Sequence, residues 1–147
     1  MKTPSPLSSE TVHASCVAIG GRAVLIGGRS GQGKSDLALR LIDRGAALVS
    51  DDYTLLRRQD GRLLAVAPPT IAGKIELRGV GILEYPAVRD VPVALFVDLD
   101  LETTRLPDDG DKRMVAAVAI PLIGLNAQEP SAPIKVEAAL RLFGLND

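Results

Sequence analysis

The chain has 147 residues, a length that fits one compact domain burying roughly 70% of its unfolded surface. Lys and Arg number 17 against 18 Asp and Glu, for a net charge of −1, which argues against a general nucleic-acid binder with its basic excess. Two Phe, two Tyr and no Trp offer few stacking platforms for bases, and a single Cys excludes both an intrachain disulfide and a Cys-rich zinc site.

No apolar run approaches the about 18–20 residues of a membrane span, and Met1 to Glu10 lacks the continuous apolar stretch of a signal peptide. A reducing, cytoplasmic setting is therefore expected, with residues 1–10 as a flexible leader and 11–147 as one domain. Thr11 to Ile19 predicts a strand, Gly20-Gly21 a hairpin turn, and Arg22 to Gly27 a buried strand. Lys34 to Arg44 predicts a helix with Leu37, Ala38, Leu41 and Ile42 on one face, stopped by Gly45. Ala46 to Ser50 is a short apolar strand leading into Asp51-Asp52. Tyr53 to Arg58 and Arg62 to Ala67 flank Asp60-Gly61, the strongest hairpin signal in the chain. Pro68-Pro69 breaks that ribbon, and Lys74 to Tyr85 is extended around Gly79 and Gly81. Val91 to Leu99 is a strong apolar strand. Asp100 to Arg113 is charged and expected to be an exposed, mobile loop; Val115 to Leu125 is apolar again. Ser131 caps, and Pro133 opens, a last helix running to about Phe143. Consecutive hairpins around one central helix predict an α/β fold with a mixed sheet.

The sharpest chemical signal is Gly28-Arg29-Ser30-Gly31-Gln32-Gly33-Lys34-Ser35, which matches G-x-x-x-x-G-K-[ST] at every fixed position. It stands between a predicted buried strand and a predicted amphipathic helix, where backbone N–H groups and the helix N-terminus together hold phosphate. Lys34 is then the cation on the phosphates and Ser35 a magnesium ligand. Such a loop indicates nucleotide binding and leaves the reaction open. A metal-side carboxylate is needed, and two compete: Asp51, and Asp98 at the end of Ala94-Leu95-Phe96-Val97, the more regular hydrophobic run ending in Asp. Adjacent strand residues point to opposite faces, so Asp51 and Asp52 are expected to do different jobs, one toward the metal and Lys34, the other toward an incoming hydroxyl. His13 is a candidate neighbour, although a lone histidine is more often structural. His13-x-x-Cys16 supplies too few ligands for zinc, and Cys16 reads as a small buried hydrophobe.

Taken in order, the glycine loop with Asp36-Leu37-Ala38-Leu39 behind it, Arg44-Gly45, Leu48-Val49-Ser50-Asp51-Asp52 and Ile75-Glu76-Leu77-Arg78-Gly79-Val80-Gly81-Ile82 resemble the catalytic domain of the bacterial HPr kinase/phosphorylase family. The stretch Ser131 to Glu137 is similar to the short, single-domain alphaproteobacterial type. The resemblance implies a P-loop nucleotide-binding core similar to that of phosphoenolpyruvate carboxykinase. It also implies ATP- and Mg²⁺-dependent phosphorylation of a serine on an HPr-type phosphocarrier. Phosphorolysis of the phosphoserine is left open, as is homo-oligomerisation, and neither nucleic acid nor membrane is expected as a partner. Among residues it implies Gly28 to Ser35 on the nucleotide, Lys34 as catalytic, Ser35 and Glu76 on magnesium, and Asp52 as the base supported by His13. Asp51 then faces Lys34 and the metal's water shell, Asp98 is demoted to a strand-end residue, and Ile75 to Glu84 is the catalytically important stretch, with Arg78 inside it.

The chain departs from the family pattern at three points. Only ten residues precede its first predicted strand, Arg29 stands where the family usually has an acidic residue, and Pro121-Leu122-Ile123-Gly124 replaces the surroundings of a family arginine. Arg78, Arg105 and Arg113 are alternative cations for the last. The alternatives to a protein kinase are a catalytically silent nucleotide-sensing module and a small-molecule P-loop kinase, for which no lid with paired arginines is evident. No Asn-Lys-x-Asp motif supports a GTPase.

Overall fold

The apolar runs become strands in the computed structural model, which describes residues 8–103 and 111–146. In chain order the elements are β1 (Ser9–Val12), β2 (Ala14–Ile19), β3 (Arg22–Gly27), α1 (Lys34–Asp43), β4 (Ala47–Ser50), β5 (Thr54–Gln59), β6 (Arg62–Val66), β7 (Lys74–Leu77), β8 (Gly81–Glu84), β9 (Val91–Asp98), β10 (Lys112–Val115), β11 (Val118–Gly124) and α2 (Ala132–Phe143). The main sheet runs β1-β5-β6-β9-β3-β2-β4, with β11 joining β9 and β10 joining β11. β3, β9 and β11 are mutually parallel through β9, whereas β2 is antiparallel to both β3 and β4. The sheet is thus mixed, as the run of hairpins predicts.

β3 and β9 lie at its centre because they are apolar on both faces. Val24, Ile26, Leu95 and Val97 face a core closed by Leu37, Ala38 and Leu41 of α1 and Val136 and Leu140 of α2. Leu25, Val93 and Phe96 face a second core with Cys16, Val49, Leu56, Leu63 and Ile120. Each large aliphatic buried this way contributes about 1.5–3 kcal/mol of transfer free energy. Cys16 is fully buried, and desolvation pushes its thiol well above the ordinary range, as befits the small hydrophobe expected from sequence. No helix among the described residues is long and apolar enough to cross a membrane.

Local signals translate directly. Gly20 and Gly21, with φ of +57° and +83°, turn β2 into β3, and Asp60 and Gly61, at +54° and +76°, turn β5 into β6. Gly45, at φ +110°, ends α1 with its N–H on the Ile42 carbonyl while the Ala46 N–H reaches Leu41, a left-handed termination that suits glycine.

Several expectations need correction. Ser9 and Glu10, expected in the leader, instead pair with Arg57 and Leu56 in the sheet; residues 1–7 lie outside the described residues. The strand expected from Thr11 to Ile19 breaks at His13, so that β1 joins β5 while β2 joins β3 and β4. Lys74 to Tyr85 is extended around Gly79 and Gly81 as expected. What the sequence leaves open is that its two strands pair only with each other among the described residues, as the separate hairpin β7-β8. The charged segment is not all loop: Lys112 and Arg113 belong to β10, and Asp100 is held by hydrogen bonds described below, while 104–110 lies outside the described residues. Ser131 occupies the N-cap of α2, but its side chain makes no capping bond; its carbonyl accepts the Lys135 N–H.

The apolar stretch from Val115 conceals a turn. β10 and β11 meet at Ala116 and Ala117, both left-handed with φ of +47° and +65°, where Asn-Gly is the usual pair. The turn survives because the Glu10 carboxylate accepts the Ala116 N–H and Arg58 donates to the Ala116 carbonyl. A left-handed L-residue costs about 1–2 kcal/mol, offset in part by the greater chain entropy of glycine. Ala117→Gly at this exposed position is accordingly expected to stabilise the fold by about 0.5–1 kcal/mol. Urea unfolding checks this; an unchanged or lower midpoint contradicts it.

Candidate functional site

Four strand ends converge on one edge of the main sheet. The parallel strands β3 and β9 finish there, β4 finishes beside them, and β2, running the other way, begins there, with Ala14 opposite Gly27. In open α/β sheets the carboxyl ends of the strands are where ligands bind.

The glycine loop leaves β3 at Gly27 and delivers the chain to α1. Gly28, Gly31 and Gly33 have φ of +152°, +91° and +97°, conformations that let the loop double back without a Cβ in the way. Gln32 N–H closes a turn on the Arg29 carbonyl, and the helical ladder starts with Leu37 N–H on the Gly33 carbonyl. The N–H groups of the first helical turn therefore precede the ladder and open toward the loop. Lys34 is buried, and its ammonium folds back on the Gly28 carbonyl at 2.8 Å. Ser30 and Gly31 are exposed at the tip.

Asp51 follows β4 and points inward, where it collects three donors. Oδ1 accepts the Ser35 hydroxyl at 2.6 Å and the Ser15 hydroxyl at 2.9 Å, and Oδ2 accepts the Glu76 N–H at 3.1 Å. One carboxylate thus joins the end of the glycine loop, the start of β2 and hairpin β7-β8. Asp52 turns outward. Its φ of +68° makes the divergence, rather than the strand alternation expected from sequence, because β4 already ends at Ser50. The Asp52 carboxylate, half-exposed, meets His13 Nε2 at 2.9 Å, and the imidazole stacks on Tyr53 with ring centroids 4.9 Å apart. His13 stands in the break between β1 and β2, so the lone histidine belongs to the acidic cluster.

The other sequence candidates separate. The Glu76 side chain is exposed on β7, next to the Asp51–Ser35 pair through its own N–H. Arg78, in the turn after β7, is exposed and makes no ion pair among the described residues. The Ser35 hydroxyl goes to Asp51, and Asp98 finds other partners. Its Oδ2 takes Arg113 at 2.7 Å, its Oδ1 takes the Asp100 N–H, and the Arg113 guanidinium lies over Phe96. That pairing occupies Arg113 as well; Arg105 lies outside the described residues.

Three residues went unremarked in sequence. Asp100 accepts the Arg29 N–H at 3.0 Å, Arg29 Nε at 3.2 Å and the Gln32 amide at 2.9 Å. The Gln32 bond, with help from Arg29, holds its carboxyl below the usual range. Ser15 and Tyr53 complete the set. None carries a motif signal, since each is brought in by strand pairing across tens of residues.

Oxygen donors dominate the region around Ser35, Asp51 and Glu76. Among the described residues no group of three or more His, Cys, Asp and Glu is arranged to hold a metal by itself. The oxygen donors of Ser35, Asp51 and Glu76 are of the kind magnesium takes, one or two at a time beside phosphate and water.

Comparison with known proteins agrees with the geometry. The family model for the HPr Serine kinase C-terminal domain matches residues 6–91. HPr kinase/phosphorylase of Latilactobacillus sakei is 35% identical over 90% of this chain and 44% of its own length, and that of Clostridium tetani 30% identical over 88% and 44%. The chain therefore spans about half the length of the curated relatives it matches. The solved structure of the Hpr(Ser) kinase/phosphatase from Coxiella burnetii superposes with a TM-score of 0.77 at 29% identity, covering 90% of this chain and 95% of that one. With its glycine loop, paired aspartates and β7-β8 hairpin inside the matched stretch, this chain belongs to the HPr serine kinase C-terminal domain family.

Proposed function

We propose that the chain is an ATP- and Mg²⁺-dependent kinase for a serine on an HPr-type phosphocarrier, built on a P-loop core of the phosphoenolpyruvate carboxykinase kind. The observation that carries this reading is the division of labour between two adjacent carboxylates. Asp51 faces the Ser35 hydroxyl at 2.6 Å, whereas Asp52 faces His13 and solvent. Phosphoryl transfer needs a metal-side group and a separate group for the attacking hydroxyl.

In this reading Gly28, Arg29, Ser30, Gly31, Gln32, Gly33 and Ser35 hold the nucleotide phosphates, and Lys34 leaves the Gly28 carbonyl for them. Magnesium, when bound, neutralises charge on the phosphates, with Ser35 and Glu76 as its protein ligands and Asp51 orienting Ser35. Asp52 accepts the proton as the serine Oγ attacks the γ-phosphorus and the bond to the bridging oxygen of ADP breaks. His13 holds the carboxylate in place, and Arg78 supplies positive charge at the mouth. The exposed Asp52–His13 pair suits an acceptor carried on another protein, because it lies at the surface, with the Asp52 side chain 52% exposed.

The test is transfer of labelled γ-phosphate to a cognate HPr-type protein, with and without Mg²⁺. Metal-dependent labelling on serine is expected. Nucleotide binding without transfer would instead mark a silent sensing module, and chasing the labelled product with inorganic phosphate asks whether phosphorolysis accompanies the kinase.

A further inference from the structure

Ser15 is the second residue of β2 and fully buried. Its neighbours Ala14 and Cys16 face the second core while Val17 faces the helices, so alternation puts Ser15 on the helix side, at the strand end nearest the glycine loop. A hydroxyl in such a position is costly unless its bonds are satisfied. Both are, and by the two consecutive aspartates: Ser15 Oγ donates to Asp51 Oδ1 at 2.9 Å and accepts the Asp52 N–H at 3.0 Å.

The second bond falls on a residue with φ of +68°. A left-handed conformation persists at a non-glycine residue when the surroundings over-determine it. Here Ser15 grips the Asp52 N–H from one side, and the Tyr53 N–H closes on the Asp51 carbonyl at 2.8 Å from the other. The first bond falls on the same oxygen that takes the Ser35 hydroxyl. One buried oxygen therefore spans the loop-side carboxylate and the backbone that aims the outward one. Neither bond belongs to the sheet ladder, so the strand itself has no use for the hydroxyl.

We propose that Ser15 is a positioning residue that sets the spacing between Asp51 and Asp52 and holds Asp52 in its left-handed, outward conformation. The proposal rests on the phosphotransfer reading above for its kinetic consequence, not for its geometry. Removing the hydroxyl leaves the Asp52 N–H without its acceptor and lets the acceptor-side carboxylate drift. Misplacement of about 1 Å costs up to about 100-fold in rate.

Ser15→Val and Ser15→Thr share one shape and differ in the hydroxyl, so packing cancels between them. Relative to Ser15→Thr, Ser15→Val is expected to lower kcat about 10- to 100-fold, with KM for MgATP within about threefold. In an Asp52→Asn background the same exchange is expected to change the residual rate little, because residues acting as a unit are not additive. A second readout needs no turnover. His13 is the only histidine, and its Nε2 resonance in the Asp52 pair is expected to shift in Ser15→Ala and Ser15→Val. Equal kcat in Val and Thr variants of an active enzyme overturns the proposal. If the wild type shows no transfer, the kinase reading fails, and the imidazole signal alone judges Ser15: a shift upholds it and an unchanged resonance overturns it.

Discussion

Asp52→Asn is expected to abolish phosphoryl transfer to the phosphocarrier while MgATP still binds. Among the described residues His13 is the one side chain that this half-exposed carboxylate bonds, while the side-chain hydrogen bonds described for the glycine loop run to Asp51, to Asp100 and within the loop itself. In the proposed reaction the carboxylate offers a place for the proton of an incoming hydroxyl, a contribution of about 10²–10⁴ in rate for a positioned base. Asn is the informative replacement. It tolerates the left-handed backbone at φ +68° nearly as well as Asp, whereas Ala adds a conformational cost of about 1–2 kcal/mol that would blur the result. Labelled transfer and titration calorimetry with MgATP check both halves. Transfer within tenfold of the wild type would remove Asp52 from the role of base.

Lys34→Ala is expected to damage both binding and transfer. The ammonium is buried and rests on the Gly28 carbonyl at 2.8 Å, a bond it can exchange for phosphate oxygens without leaving the loop. A charge-assisted hydrogen bond is worth about 1.5–3 kcal/mol, so nucleotide affinity should fall about 10- to 100-fold from this change alone. The rate should fall further, because charge on the transferring group is also left uncompensated. Calorimetry on both variants separates the two residues: Lys34→Ala weakens MgATP and Asp52→Asn does not. Unchanged MgATP affinity in Lys34→Ala would show that the glycine loop does not grip the phosphates.

Asp100 gives the loop a further support that the departure at Arg29 makes intelligible. Arg29 pairs with Asp100 across 71 residues, and Gln32 donates to the same carboxylate. Asp100 is in turn held by Asp98, and Asp98 by Arg113. The acid that looked most like a metal ligand in the sequence instead anchors this chain of contacts from the end of β9.

The glycine loop, the helix behind it with its stop at Gly45, and the turns at Gly20-Gly21 and Asp60-Gly61 were all legible in the sequence. Each depends on residues within a few positions of one another and on a backbone conformation that only certain residues adopt easily. The same locality accounts for the mixed sheet, since short glycine turns force antiparallel neighbours. The turn at Ala116-Ala117 was hidden because alanine carries no turn signal, and Glu10 and Arg58 had to arrive from distant strands to hold it. Likewise the outward set of Asp52, the grip of Ser15 on both aspartates across 36 and 37 residues, and the pairing of Asp98 with Arg113 were decided by strand pairing. Residue type and spacing determined which chemical groups this protein carries. Which carboxylate faces Ser35 and which faces outward was decided only when the ends of β2, β3, β4 and β9 met, because a hydrogen bond of 3 Å is set by register across the sheet and not by position along the chain.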